Sequence, residues 1–297
     1  MNTVLALAGV VIKELYRRKD FYVLFVLTAL ITLVMGAVNF FNDPKIIRYL
    51  KEICLLLIWV SALVVAIGTT ARQIPAEREN RTIFPLLAKP VTRWQVIVGK
   101  FFGCWLACGI ALLVFYLFFA VVSETRGGRE TTTSETIAAT ATAHDAHDHD
   151  AKAGDEHHDE HEAGAPRWAG LNYLQALWLH WVMLAIVIAM VLLGSVVFAA
   201  PSSNATIIFI VIAGILFLGE HLNKIALRQE QPMQTVFQVI YFSIPHLEWY
   251  DIRDAIVYDR APLAWGVCGL ASLYAAAYTA LFLFLTWLVF RRKGLTQ

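Results

Sequence analysis

Residues 171–200 read LNYLQALWLHWVMLAIVIAMVLLGSVVFAA and contain no Asp, Glu, Lys or Arg. Five further stretches share this property, namely 21–41, 53–71, 101–123, 205–219 and 263–290. A bilayer core about 30 Å thick requires roughly 20 apolar residues for each helical span. The pattern therefore predicts an all-α, polytopic membrane protein with six transmembrane helices in a single membrane domain, residues 1–297.

The composition and the distribution of charge agree with this class. The chain is 58% hydrophobic with a mean hydropathy of +0.60, which excludes a soluble globular protein. If the N-terminus is cytoplasmic, the inner segments hold 13 Lys and Arg but 4 acids, whereas the outer segments hold 11 and 19. Basic residues concentrate on the cytoplasmic side of membrane proteins. We therefore expect a multi-pass membrane protein with both termini in the cytoplasm.

Residues 1–20 predict a helix that lies on the inner leaflet before the first span. Val4, Leu7, Val11 and Leu15 follow helical spacing, and basic residues collect towards the end of the segment. A helix with one apolar face and a basic end is typical of an interfacial element.

Residues 72–100 predict a short amphipathic helix, a break and a new helix on the cytoplasmic side. Pro75 suits the first turn of a helix, where its missing N–H costs little, and Pro90 ends that helix. Thr92 and Gln95 have the spacing of a capping box that begins the helix of the third span. The polar edge of the first helix is formed by residues 77–81, and its apolar edge by Ile83, Leu86 and Leu87.

The predicted outer segments differ in character. Residues 124–170 hold 11 acids and 4 bases with few large apolar residues, so we expect disorder. Residues 220–262 are amphipathic and aromatic, which predicts a segment at the outer interface. The fourth and fifth spans form a hairpin around a turn at 201–204. The segment 124–170 includes six histidines: His144, His147, His149, His157, His158 and His161.

These histidines alternate with Asp and Glu, a ligand set suited to Zn, Cu or Ni. The spacing is irregular and typical of a solvated acidic tether, so they are weak metal candidates. His180, between Trp178 and Trp181, is predicted to be a polar tip at the outer interface. The cysteines are predicted to be small buried apolar residues: Cys54, Cys104, Cys108 and Cys268.

The charge-free spans bear on the source of energy. Ion-coupled carriers usually place ionisable residues inside the bundle, and none of Asp, Glu, Lys or Arg lies in these six stretches. The sequence also lacks a phosphate-binding Gly-x-x-x-x-Gly-Lys-[Ser/Thr] loop and a His-Glu-x-x-His metal motif. We therefore expect no catalysis and no bound cofactor in this chain, and an energy source in another subunit.

Residues 79–93, ENRTIFPLLAKPVTR, followed by Gly99-Lys100, resemble the segment between the second and third spans of ABC-2 type transporter permeases. The subgroup it most resembles is that of permeases involved in multi-copper enzyme maturation. Arg81 stands where the family often has glycine, and the His-rich loop is not part of the family pattern.

The resemblance implies a cytoplasmic ABC ATPase subunit that binds ATP and Mg, and a second permease half in a homo- or heterodimer. It also implies that 75–88 is the coupling helix that contacts this ATPase. The residues implied in coupling are Glu77, Arg78, Glu79, Asn80, Arg81, Thr82, Ile83, Leu86, Leu87, Pro90 and Arg93.

The function predicted from the sequence is the membrane-spanning permease subunit of an ABC exporter. Two alternatives remain: a stand-alone metal carrier that uses the His-rich loop, and a non-transporting scaffold for assembly of a periplasmic enzyme. The expected partners are the ATPase, a second permease half and membrane lipid, with no nucleic acid.

The predicted topology is tested by labelling single cysteines in intact cells with a membrane-impermeant maleimide, in a background that lacks the native cysteines. Cysteine at position 150 should label from outside, whereas cysteine at position 79 should label only after permeabilisation. Labelling of position 79 in intact cells would contradict the topology and the proposed role of 72–100.

Overall fold

The computed structural model describes residues 2–17, 44–79, 92–144, 169–226, 244–258 and 260–292, with short pieces at 22–23, 26, 29–30, 233–235 and 241. Within these residues the chain forms helices and connections and no strand. The helices are α1 (Asn2–Tyr16), α2 (Pro44–Ala71), α3 (Pro75–Glu79), α4 (Arg93–His144), α5 (Ala169–Val197), α6 (Pro201–Ala226), a 3-10 helix (Leu247–Tyr250), α7 (Arg253–Val257) and α8 (Trp265–Arg292).

Helix α5 is the centre of the bundle and packs against α2, α4, α6 and α8. In an apolar 18-residue stretch of α5, 78% of the residues are buried, against 28% in the corresponding stretch of α8. A helix that is apolar on all faces is stable where neighbours surround it. The uninterrupted apolar run that defines α5 in the sequence thus places it innermost.

A pair of tryptophans joins α4 to α5. The rings of Trp105 and Trp181 stack with their centroids 4.4 Å apart. Each indole N–H donates to the backbone carbonyl of the other residue, at 3.0 and 3.2 Å. Gly109 lies against the Trp181 indole, where a Cβ atom would clash. The pair therefore combines aromatic packing with two hydrogen bonds that leave neither indole N–H unsatisfied.

Four described helical segments are long and apolar enough to cross a membrane: Lys51–Glu77, Arg93–Val121, Gly170–Val197 and Trp265–Arg292. They contain or largely cover four of the six predicted spans. The predicted span 21–41 lies almost wholly outside the described residues. The predicted span 205–219 lies in α6, whose described apolar part, Pro201–Phe217, is shorter than those four. Six spans therefore stays a prediction.

The turn between α5 and α6 lies earlier than predicted. It comprises Phe198 and residues 199–200, and Pro201 is the first residue of α6, a position that tolerates its missing N–H. Asn204, predicted in the turn, is a buried residue of α6 whose side chain donates to the Val191 carbonyl at 3.2 Å. Gly194 leaves the space that the Asn204 amide fills.

Helix α1 lies directly on the first part of α4. A Cβ atom on Gly99 would lie 2.8 Å from the Leu7 Cβ, and one on Gly103 would lie 2.7 Å from the Val11 Cβ. Glycines four residues apart allow two helix backbones to approach closely. A helix is present within the segment 1–20 as predicted, and its place at the inner leaflet stays a prediction.

Helix α4 extends further than the sequence analysis expects. It continues to His144, whereas disorder is expected across 124–170. Residues 137–143 are rich in alanine, the strongest helix former, and they follow a helix that is already nucleated. Residues 145–168 lie outside the described residues.

The close contact of α1 with α4 predicts that Gly103→Ala destabilises the protein. The added methyl group would overlap Val11, and overpacking costs about 1–3 kcal/mol, so the melting temperature in mild detergent should fall. The matched control is Gly269→Ala in α8, where a Cβ atom meets nothing within 4 Å. Equal melting temperatures for the two variants would contradict the predicted contact.

Candidate functional site

A buried lysine holds the connection between α2 and α4. The Lys100 side chain is 3% exposed, and its Nζ donates to the Gln73 carbonyl at 2.7 Å and lies 2.8 Å from the Glu77 Oε1. Lys100 belongs to α4, Gln73 to the turn after α2, and Glu77 to α3. We call this arrangement the Lys100 clamp. A buried charge needs a partner and hydrogen bonds, and the clamp supplies both.

The local chain direction follows from the sequence of this connection. Helix α2 ends at Ala71, and the Gln73 N–H donates to the Thr70 carbonyl at 3.1 Å. Pro75 is the first residue of α3, as predicted, and Ile74 before it is buried. This tight turn points the Gln73 carbonyl and the Glu77 carboxylate at one side chain.

The predicted capping box at the start of α4 is confirmed. The Thr92 N–H donates to the Gln95 Oε1 at 3.0 Å, and the Gln95 N–H donates to the Thr92 hydroxyl at 3.4 Å. Two backbone donors at the helix start are thereby satisfied. The box fixes the first turn of α4, two turns before Lys100.

Arg93 connects the start of α4 to the end of α8. Its guanidinium donates to the carbonyls of Phe290 and Arg291 at 2.9 and 3.2 Å and lies 5.6 Å from the centroid of the Phe290 ring. The last carbonyls of a helix have no intrahelical partner and attract positive charge. Arg93, predicted as a contact for the ATPase, therefore has an internal role in the described structure.

The other residues predicted for coupling divide into two groups. Glu77, Arg78 and Glu79 belong to α3, and of these the described side chain is Glu77, in the clamp. The remainder lie outside the described residues: Asn80, Arg81, Thr82, Ile83, Leu86, Leu87 and Pro90. Contact of these residues with an ATPase stays a prediction.

Sequence reasoning missed the role of Lys100. Its position directly before an apolar span, inside the Gly99-Lys100 pair, was the available signal. Its partners could not be found from spacing, because Gln73 lies 27 residues earlier in the chain. Their approach depends on how the α2–α3 turn packs on α4.

Polar contacts also order the opposite end of the bundle. Arg253 of α7 forms a two-point pair with Asp251, with its Nε 2.7 Å from Oδ1 and its Nη2 2.5 Å from Oδ2. The same guanidinium lies 5.7 Å from the centroid of the Trp59 ring of α2. Burial lowers the pKa of Arg253, but the hydrogen bonds and charge of Asp251 outweigh it and raise the pKa above its ordinary value.

Two amides of α5 attach the chain that precedes α8. The Asn172 amide donates to the carbonyls of Ala255 and Arg260 at 3.2 and 2.8 Å. The Gln175 amide donates to the Leu263 carbonyl at 2.8 Å, and its oxygen accepts from the Leu263 N–H at 3.1 Å. The connection before α8 is thus fixed to the central helix by four hydrogen bonds.

An aromatic cluster surrounds His246 near the 3-10 helix. The His246 ring centroid lies 4.3 Å from that of Tyr241 and 4.8 Å from that of Trp249. The His246 backbone N–H donates to the Tyr274 hydroxyl at 3.1 Å. The Tyr250 hydroxyl donates to the Ala271 carbonyl at 2.8 Å. Burial, with a smaller effect of Tyr274, raises the pKa of Tyr250, so the phenol stays neutral.

The prediction that His180 is an interfacial tip is wrong. The residue is 1% exposed, and its ring lies 6.2 Å from Trp59 and 6.1 Å from Tyr116. Neither ring nitrogen has a hydrogen-bond partner among the described residues. His180 lies on the face of α5 that packs against α2 and α4, whereas Trp178, two residues earlier, is 42% exposed.

An apolar groove of about 390 Å³ opens between α4, α5 and α8. Ile110 and Leu113 line one wall, Leu177 and Trp181 line another, and Trp178 and Trp265 complete it. The Trp178 N–H donates to the Ser272 hydroxyl at 3.0 Å, which fixes one side of the opening.

The described residues contain no group of three or more His, Cys, Asp or Glu that could hold a metal ion. His144 is the last residue of α4, and the other five loop histidines lie outside the described residues. All four cysteines are buried, which confirms the prediction that they are small buried residues.

Residues 10–143 match a family model described as ABC-2 family transporter protein. The match covers less than half of the 297 residues and extends from α1 through α2 and α3 almost to the end of α4. A comparison with curated proteins finds no significant match. Over these residues the chain is similar to proteins of the ABC-2 transporter family.

The Arg253 contacts predict that Asp251→Asn loosens the segment around α7. Loss of a charged hydrogen-bond partner at a partly exposed pair costs about 1 kcal/mol, so amide hydrogen exchange in 251–258 should accelerate roughly fivefold. The matched control is Asp254→Asn, an exposed residue of the same helix. Equal exchange in the two variants would contradict a role for the pair.

Proposed function

We propose that this chain is the membrane-spanning permease subunit of an ABC exporter, with ATP hydrolysed by a separate cytoplasmic subunit. The observation that carries the proposal is the match of residues 10–143 to the ABC-2 family. That region includes α1, the α2–α3 connection and the start of α4, and both α1 and the connection contact the start of α4. The motif at 79–93 favours the subgroup that resembles permeases of multi-copper enzyme maturation.

The lack of ionic groups in the spans supports an external energy source. The apolar cores of α2, α4, α5 and α8 contain no Asp, Glu, Lys or Arg over 53–71, 101–123, 171–200 and 263–290. A carrier driven by an ion gradient generally needs ionisable residues inside the bundle, and His180 is the single Asp, Glu, Lys, Arg or His in these four stretches. Energy therefore enters this protein through contacts at its surface.

The contacts around α4 would pass a movement at the protein surface to this helix. Helix α1 packs on Gly99 and Gly103, α3 is joined to Lys100, and Arg93 connects the same helix to the end of α8. A displacement of α1 or α3 would therefore move α4. In the proposed assembly, the predicted coupling helix 75–88, whose first residues form α3, contacts the ATPase.

The proposed assembly contains two permease halves and their ATPase subunits in a bacterial inner membrane, with both chain termini cytoplasmic. The proposed polar contacts with the ATPase are Glu77, Arg78, Glu79 and Arg81, whereas Ile83, Leu86 and Leu87 pack toward the membrane half. Pro90 sets the angle to α4. The ATP and Mg belong to the partner subunit.

The proposal is tested by purifying the tagged chain from its native host in mild detergent and identifying proteins recovered with it. An ABC ATPase subunit should be recovered in near-stoichiometric amount. Glu79→Lys should lower that recovery about fivefold, because reversing a charge at an interface of this kind costs on the order of 1 kcal/mol.

The matched control is Asp254→Lys, the same charge reversal at an exposed residue of α7, and it should leave recovery unchanged. Recovery of intact wild-type chain without any nucleotide-hydrolysing subunit would contradict the proposed function.

A further inference from the structure

We propose that Lys100 is a positioning residue that transmits movement of α3 to α4, so that it couples ATP hydrolysis to movement of the bundle. This inference rests on the proposed function, since the movement of α3 originates in the partner ATPase. Lys100 is not among the coupling residues that the resemblance implies.

The clamp lies where three elements meet on α4. Lys100 Nζ bonds to the Gln73 carbonyl and to the Glu77 carboxylate, so it holds both the end of the α2 turn and the first turn of α3. The residue before it, Gly99, lies against Leu7 of α1. Gly99 and Lys100 of α4 thus contact α1, the turn after α2, and α3.

The surroundings of the clamp are closely packed. Ala71 and Ile74 on the α2–α3 side are buried, as are Ile97 and Phe101 on α4. Protein interiors of this density have low compressibility and transmit displacement. If the Lys100 ammonium moves with α3, it therefore moves α4 as well.

A buried ion pair adds a property that apolar packing lacks. Apolar contacts have no directional requirement, so helices joined by them can shift and repack. The two bonds to Nζ have preferred directions, and separation of the ammonium from the Glu77 carboxylate leaves the buried Lys100 charge without its ion partner. The clamp therefore resists sliding of α3 relative to α4 more strongly than an apolar contact of the same size.

A single and a double variant of the clamp separate its effect on stability from its effect on coupling. Lys100→Met alone leaves the Glu77 carboxylate without its ammonium partner and should destabilise the protein. The double variant Lys100→Met/Glu77→Met replaces both charges with apolar side chains of similar length, a change that is often neutral or stabilising for buried pairs. If the clamp serves coupling, the double variant should fold well and still be uncoupled.

The experiment uses the full chain with its copurified ATPase subunit, reconstituted into liposomes. The two measurements are the melting temperature of the complex and the factor by which the permease changes the ATPase rate relative to the isolated subunit. For the double variant we expect the melting temperature to match wild type and the permease-dependent change in rate, measured per bound ATPase, to be reduced at least fivefold.

Two further variants test direction and specificity. The exchanged pair Lys100→Glu/Glu77→Lys restores opposite charges and should recover at least half of the rate change. Lys51→Met removes a lysine near the opposite end of α2 and should behave as wild type.

The outcomes distinguish the two hypotheses. If wild-type chain binds an ATPase and the double variant stimulates it as wild type does, the coupling role of Lys100 is wrong while the proposed function stands. If the double variant and the exchanged pair lose activity only in proportion to lost melting temperature, the role is purely structural and the inference is again wrong. If wild-type chain binds no ATPase, both fail together.

Discussion

The structure depends on the absence of charge from the interior of the bundle. A helix satisfies its own backbone hydrogen bonds, and for that reason it is one of the two structures that can cross hydrocarbon. Helix α5 carries this constraint furthest, since it has neighbours on all sides and is buried along most of its length. The other described spans pack around it and leave their remaining faces exposed, as a lipid environment requires.

Directional interactions are consequently concentrated near the helix ends. At one end, Lys100 and Arg93 bind carbonyl and carboxylate oxygens of the α2–α3 connection and of α8. At the other, Asn172 and Gln175 fix the chain before α8. Between these ends the helices associate through close packing, with the stacked pair of Trp105 and Trp181 as the main polar exception.

Features that depend on residues close together in the chain were predictable from the sequence, whereas features that depend on their wider surroundings were not. The capping box of Thr92 and Gln95 was predictable because both residues lie in one helical turn. Pro75 at the start of α3 was predictable for the same reason. The helix through 124–144 was missed because its charge and composition favour disorder when the segment is considered apart from the apolar helix that precedes it. The turn at 198–200 was misplaced by a few residues because Pro201 is as compatible with a helix start as with a turn.

The sequence by itself determined the helical class, the position of four long apolar spans and the uneven distribution of charge, because each follows from the uninterrupted composition of a contiguous segment. Only the tertiary structure decided that His180 is enclosed by Trp59 and Tyr116, that α1 rests on Gly99 and Gly103, and that Lys100 binds Gln73 and Glu77. These arrangements join residues distant in the chain. Their energies depend on which helix faces pack together, and that information is absent from the composition of any single segment.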